Sequence, residues 1–523
     1  MTCAGPCCLP SLVAAVCGRW SGPGGAGHAC SFARGPLSAP PSTAALTDPA
    51  PPDDVVPVAT PQQDAASLPR GRQRRLLWAY GLGDAGTGMA ATQMGFYLFV
   101  FFTAVVGLPA WMAGSVLMVL KIWDGINDPL VGYLSDHTRH RFGPRLPWLL
   151  WGAVPLGLCL VATWWVPPGG LWLRFAVLVL IASATQVTYT CVNLPYSTLA
   201  AELTSDVDLR TRLNAARFTG SIIAGFAGIV LAAALGLQVR ECGPSSVGAG
   251  AFQTMGLISG LTITVGTLAC AWGLMPFRGY CQQPSAHPEP LLAQLRRIAA
   301  NPRFLRVLGL YLLLWCALQL MQTVALLYLT DVIGTPAHWS TWILVPFQLS
   351  ALLGLQLWSN LSARIGRLPT LRRGGLLWIG GCAVALLLPA LQPTVAPFGS
   401  WGNGITFCLL LAAIVVVGLG AATAFLIPWS LLPDAIDADP DRPAGLYNAW
   451  MVIIQKFGIG LSVFVLGNIL SLSGYRTCGS AGQPDSALGT IRLAMGLIPA
   501  VLVVLGLLLM RSWPRRPHLH PAP

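Results

Sequence analysis

Apolar residues in this chain run in long stretches, broken by short polar connections, rather than alternating with polar ones as they do on a water-facing surface. The pattern predicts twelve helical segments, at about 77–105, 109–134, 147–167, 171–202, 213–237, 251–276, 304–333, 339–362, 374–393, 404–432, 446–471 and 488–510. Each reaches the roughly 20 residues a helix needs to cross a bilayer core. Residues 1–69 differ: Ala, Pro, Gly and Ser dominate without periodicity, which predicts a disordered arm. Within it, Leu9 to Cys17 is an apolar run without a basic leader, so it does not read as a signal peptide. A second polar stretch, 277–303, holds Pro284, Pro288 and Pro290, then a short surface helix over Leu291–Ala300. It divides the segments six and six. The expected organisation is an N-terminal bundle at 70–276, a central cytoplasmic loop at 277–303, a C-terminal bundle at 304–510 and a tail at 511–523.

Composition supports a membrane protein. Of 523 residues, 54% are hydrophobic and only 10% charged, against about 25% charged in soluble domains. The net charge of +12 does not point to nucleic acid, because the arginines sit in short connections between apolar segments. Arg139, Arg141 and Arg145 follow the second segment, and Arg210 and Arg212 the fourth. Arg278, Arg296, Arg297, Arg303 and Arg306 follow the sixth, Arg364, Arg367, Arg372 and Arg373 the eighth, and Arg511, Arg515 and Arg516 the twelfth. The positive-inside rule then puts both termini in the cytoplasm, in a plasma membrane or bacterial-type inner membrane. The partners expected are the bilayer and a small-molecule substrate. A path lying within one chain requires only a monomer.

Chemistry enters where charge interrupts the apolar pattern. Lys121-Ile-Trp-Asp124-Gly-Ile-Asn127-Asp128-Pro129 places one base and two acids in the second segment. Asp124 and Asp128, four apart, share one helical face, with Lys121 a turn earlier. Each Asp at membrane depth costs about 2.5–3.5 kcal/mol on the insertion scale, so the pair demands a function, and holding Na⁺ or carrying H⁺ fits it. Two like charges one turn apart repel unless a cation lies between them. The chain has only two lysines, Lys121 and Lys456, both inside apolar segments. Lys121 has two readings: a pair with Asp124 on its own helix, or a snorkelling side chain. Asp84 in the first segment, Asn193 and Tyr196 in the fourth and Arg217 in the fifth are further costly or polar groups at depth. Pro129, Pro195 and Pro428 are expected to interrupt helices and free carbonyls toward a cavity. The fourteen cysteines show no metal spacing. Cys242 and Cys478 fall in outer connections, as a disulfide or as two free thiols.

Six helices, a basic loop and six helices outline a major facilitator fold, in which substrate sits between two rocking bundles. Ile122 to Gly132, Arg141-Phe-Gly-Pro-Arg-Leu-Pro-Trp148, Asn193-Leu-Pro-Tyr196, Arg210 to Arg217, Leu432 to Asp437 and Lys456 resemble the glycoside–pentoside–hexuronide:cation symporters, the melibiose permease family. The resemblance covers about residues 77 to 510. It implies a cation site at Asp124 and Asp128, joined by Asn127, Thr190 and Asn193, with Arg217 and Lys456 as coupling residues. It implies no cofactor beyond a coupling ion, Na⁺ or H⁺. Three positions depart from the sugar-binding pattern. The first-helix acid falls on Gly88, with Asp84 a turn earlier as a substitute; the fourth-helix acid falls on Asn193; the sugar-contacting Trp falls on Ser197. Ala422 to Asp437 and Gly474-Tyr-Arg-Thr-Cys478 resemble the sodium-dependent lysophosphatidylcholine symporters of the same group, and that likeness implies a Cys242–Cys478 bridge.

The function these residues point to is cation-coupled symport of a sugar or glycoside by alternating access, with lysolipid symport as the alternative. Two other classes fit less well. Gly81-Leu-Gly-Asp84 matches the Gly-x-Gly-Asp of intramembrane aspartyl proteases, but their second Asp motif and Pro-Ala-Leu are missing from the required order. A non-transporting receptor on the same fold has no use for an intact acid pair and Lys456.

Overall fold

The computed structural model describes residues 64–204, 206–237, 246–280, 291–391, 400–439, 444–477 and 482–513. Twelve long helices carry the chain back and forth: α1 Arg70–Val105, α2 Ala110–Asp136, α3 Leu146–Thr163, α4 Leu171–Leu203, α5 Asp208–Ala234 and α6 Gly248–Gly279, then α7 Pro302–Val332, α8 Trp339–Ile365, α9 Arg367–Leu387, α10 Trp401–Ile436, α11 Gly445–Leu472 and α12 Asp485–Ser512. Eleven of these are long and apolar enough to cross a membrane. The twelfth, α2, has the length, but Lys121, Asp124 and Asp128 lower its hydropathy. The helix that needs most help from its neighbours is therefore the one with the charged chemistry.

Some boundaries move from the sequence expectation. Helix α9 begins at Arg367, not near 374, so Arg372 and Arg373 are helical rather than in a connection. Gly366 alone makes the turn from α8, with φ +87°, a conformation other residues avoid. Pro129, Pro195 and Pro428 do not interrupt α2, α4 or α10; each helix runs through its proline, as transmembrane helices can when neighbours re-satisfy the freed groups. The expected arm falls largely outside the described residues, but its last part does not. Residues 64–69 dock on the bundle, with Ala65 and Leu68 buried and Asp64 accepting a hydrogen bond from Thr204 Oγ1 at 2.5 Å. The surface helix of the central loop is present over Leu291–Ala299. Arg297 forks onto Asp439 at 2.7 and 2.8 Å and ties it to the second half. Arg145, which the sequence places in the short connection after the second segment, is buried. It bonds Glu202 at 2.7 Å, Ser135 at 2.5 Å and Asp136, and so joins the ends of α2 and α4.

In the first half α1 packs on α5 and α6, α3 on α4 and α6, and α2 on α4. In the second, α10 packs on α8 and α9, and α7 on α10, α11 and α12. The α1–α5 contact depends on missing side chains. A Cβ on Gly88 would lie 2.4 Å from Ser221 O, and one on Gly220 would lie 2.3 Å from Gly81 O. Small residues let two helix backbones touch, the main device for helix association in lipid. The halves meet chiefly along α2 and α11, with α1 also touching α7, and α5 touching α8. That seam closes at the face opposite the termini. There the Trp111 amide donates to Ser471 Oγ at 2.9 Å, and a Cβ on Gly467 would lie 2.5 Å from Ala110 O.

The same face shows an internal repeat. Phe101-Phe-Thr-Ala-Val-Val-Gly-Leu-Pro-Ala110 and Tyr328-Leu-Thr-Asp-Val-Ile-Gly-Thr-Pro-Ala337 each end a helix in one wide π turn, with the glycine at positive φ. The Val106 amide donates to Phe101 O and the Ile333 amide to Tyr328 O, both at 2.9 Å. The two halves are thus built on one plan.

Candidate cation site and central cavity

Helix α2 presents Asp124 and Asp128 on one face, and α11 brings Lys456 to meet them. Lys456 Nζ donates to Asp124 Oδ1 at 2.7 Å and to Asp128 Oδ2 at 2.6 Å. One ammonium thus holds two carboxylates, and the bridge crosses from one half of the molecule to the other. Glycines allow the approach: α11 lies close enough that a Cβ on Gly125 would meet the Phe457 ring at 3.0 Å. Asp124 and Lys456 are largely buried, with side-chain exposures of 9% and 17%, so the charges have little water to fall back on. An ion pair in that setting holds only where its geometry is good.

Around the bridge lie polar atoms with no partner. Thr190 Oγ1, Asn193 Oδ1 and Asn127 Nδ2 are buried without a completed hydrogen bond. The Thr190 hydroxyl faces Asp128 but does not form a bond of good geometry. Buried orphan polar atoms are uncommon, and each calls for an explanation. Two of the three are oxygens, the donor type Na⁺ takes, and both lie on α4, which packs on α2. No group of three or more His, Cys, Asp and Glu that would hold a metal occurs among the described residues. Any ion here would rest on two carboxylates and neutral oxygens.

The remaining sequence candidates form a second cluster. Arg217 Nε donates to Asp84 Oδ2 at 3.1 Å, pairing α5 with α1, and Thr87 Oγ1 also donates to Asp84. The Arg217 guanidinium lies 5.3 Å from the Tyr196 ring centre. The Tyr196 hydroxyl donates to Tyr80 O at 2.5 Å, and Tyr80 returns a bond to Tyr196 O at 3.2 Å. Asp84, Arg217 and Tyr196 are thus brought together, but apart from the acid pair. Tyr189, on α4, lies within electrostatic range of members of both clusters, Asp84 and Arg217 on one side and Asp124 and Asp128 on the other. Gly88 has no room for an acid, since α1 and α5 touch there. Cys242 and Cys478 lie outside the described residues.

Lys121 makes no ion pair with Asp124, whose carboxylate is taken by Lys456, although Asp124 stays within electrostatic range of it. Its side chain is half-buried. It lines a cavity of about 150 Å³ between the halves, together with Asp124, Gln186, Tyr189, Gln319 and Thr323. The sequence reading passed over Gln186, Tyr189, Gln319 and Thr323. Gln186 and Gln319 are amides inside apolar helices, and that cost was the available signal.

Two six-helix halves built on one plan, with buried charges and a cavity at their seam, define a membrane transporter rather than an enzyme. Residues 79–514 match the MFS/sugar transport protein family, and the chain belongs to that family of the major facilitator superfamily. It is 32% identical to an uncharacterized symporter of Synechocystis, over 83% of this chain and 93% of that one. It is 25% identical to the sodium-dependent lysophosphatidylcholine symporter 1-A of Danio rerio, over 86% and 88%. Among solved structures, a D-xylose–proton symporter shares the fold, with TM-score 0.60 and 15% identity over 84% of this chain and 97% of that one.

Proposed function

We propose that this protein is a cation-coupled symporter of a sugar or glycoside, in which Na⁺ or H⁺ binds at Asp124 and Asp128 and displaces Lys456. The observation that carries the reading is the bridge itself. A single ammonium sits where a cation would sit, at hydrogen-bond distance from both acids. A cation entering between the carboxylates releases Lys456, and with it the cross-seam tie between α2 and α11. Thr190 and Asn193 supply neutral oxygens, and Asn127 lies beside the acids with its amide unpartnered. The Asp84–Arg217 pair on α1 and α5, with Tyr196 and Tyr189, links that event to the wall of the cavity. Substrate then binds in the cavity beside Lys121, and the carrier crosses either loaded with both or empty. The family's description supports the sugar class.

A second reading, lysophospholipid symport, is favoured by the likeness to the Danio rerio protein over most of both chains. The experiment that separates them is uptake into proteoliposomes of a labelled α-galactoside and a labelled lysophosphatidylcholine, each with and without an inward Na⁺ or H⁺ gradient. Gradient-driven sugar entry, lost in Asp124→Asn, supports the first reading, and entry of the lysolipid alone supports the second. Uptake of either that ignores both gradients contradicts coupling at the acid pair. With both termini cytoplasmic, the face closed by Trp111 and Ser471 is the outer one, so the substrate leaves this state toward the cell interior.

A further inference from the structure

Lys121 is the half-buried charge that the cation site leaves unexplained. Among the described residues its ammonium has no hydrogen bond and no ion pair, and its charged neighbours are Asp124 and Lys456. An ammonium without a direct partner inside a membrane protein is costly, and the nearby Asp124 carboxylate is already held by Lys456. A Cβ on Gly460 of α11 would lie 2.9 Å from Lys121 Cβ, so α11 packs directly on the root of the side chain. The ammonium shares the cavity with Gln186 of α4 and Gln319 of α7, whose amides likewise make no hydrogen bond within the protein among the described residues. One cation and two amides, drawn from both halves, face a single space without partners of their own.

The charge balance gives the same answer. Asp124 and Asp128 offset Lys456 and Lys121, so the empty carrier is neutral at its centre. A bound cation adds one positive charge there. A substrate with one negative charge restores neutrality; a neutral substrate leaves the excess buried. States with a net central charge are expensive to enclose in a low-dielectric interior, so the open carrier binds the cation alone but closes around it only when the anion joins, and the two travel together.

We propose that the transported molecule carries an anionic group, carboxylate or phosphate, and that Lys121 receives it with Gln186 and Gln319 as flanking donors. This rests on the cation-symport reading and narrows its substrate class. The test uses purified full-length protein and three pairs of probes that differ in one charged group: methyl glucuronide against methyl glucoside, glucose 6-phosphate against glucose, and lysophosphatidic acid against monoacylglycerol. Affinity is read from ligand-induced shifts in melting temperature in the presence of Na⁺. In at least one pair the charged member is expected to bind about ten-fold or more tightly than its neutral partner, the scale of a hydrogen bond to a charged group. That pair tells sugar carboxylate, sugar phosphate and lipid phosphate apart. Lys121→Gln should erase the preference, and Lys121→Arg should keep it. The proposal is overturned if no anion binds, if neutral members bind equally or better in every pair, or if Lys121→Gln keeps the preference. A wild-type response to Na⁺ without any ligand reads the acid pair separately. Its presence with no anion preference sinks only this proposal, and its absence sinks the symport reading beneath it.

Discussion

Lys456 holds two carboxylates that would otherwise repel one another across a single helical turn. Removing one partner of a buried pair leaves an uncompensated charge, at a cost of about 3–5 kcal/mol. Lys456→Ala is therefore expected to melt at lower temperature than wild type without Na⁺ and to recover as Na⁺ fills the vacated place. It folds, but its cation dependence is stronger. A wild-type cation dependence in that variant would remove Lys456 from the mechanism. The bridge residues were legible in the sequence, because Asp124, Asp128 and Lys456 break an apolar pattern and such breaks are costly. The choice of partner was not. Spacing alone allowed Lys121 to pair with Asp124, and only the approach of α11 shows that Lys456 takes both acids while Lys121 is left facing the cavity. Tyr196 was singled out for its place beside Asn193 and Pro195. Its hydroxyl is engaged with the Tyr80 carbonyl, an interaction between residues 116 apart that no local pattern reveals.

At the scale of helices, the glycines of α1 set what the site can contain. Gly81 and Gly88 let α5 touch α1, and that contact brings Arg217 to Asp84. Restoring an acid at the first-helix position, Gly88→Asp, is expected to push the helices apart rather than to add a sugar contact. Overpacking of this kind costs about 1–3 kcal/mol, so the variant should unfold at lower temperature and lose uptake together with Arg217→Ala. A Gly88→Asp protein of wild-type stability would show that α1 and α5 can separate freely. Helix positions were readable from hydropathy to within a few residues for most segments. The early start of α9 was not, because its first turns are basic and the pattern assigned them to a loop; the one-residue turn at Gly366 depends on a backbone angle that hydropathy does not encode. The prolines misled for a related reason, since transmembrane helices carry them unbroken when neighbours absorb the freed groups.

For the molecule as a whole, the seam between α2 and α11 is both the cross-half lock and the place of the proposed cation site. Closure at the Trp111 face depends on Gly467 and Gly114 lying flat against each other. A wedge there, Gly467→Leu, is expected to hold that face open and favour the opposite access state. A cysteine introduced at Thr323, in the cavity, should then react faster with a membrane-impermeant maleimide added from the outside. Unchanged labelling would mean that the seam does not govern access. The twelve-helix plan was visible in the sequence, but the matched π turns at Phe101–Val105 and Tyr328–Val332 were not sought. The shared Thr, Val, Gly, Pro and Ala of the two stretches were the signal for them, diluted by substitution at the other positions.

The cation site proposed at the bridge between Lys456 and the two acids makes a prediction that needs no knowledge of the substrate: a cation binds to the empty carrier at that point. The direct measurement is the melting temperature of the purified protein titrated with Na⁺ and Li⁺, and separately across pH, for wild type and Asp124→Asn. A site built from both carboxylates requires a saturable rise with Na⁺ or Li⁺, or a pH-dependent rise if H⁺ is the coupling ion, and its loss in Asp124→Asn. A wild-type protein indifferent to all three, or a variant that responds as the wild type does, would contradict it.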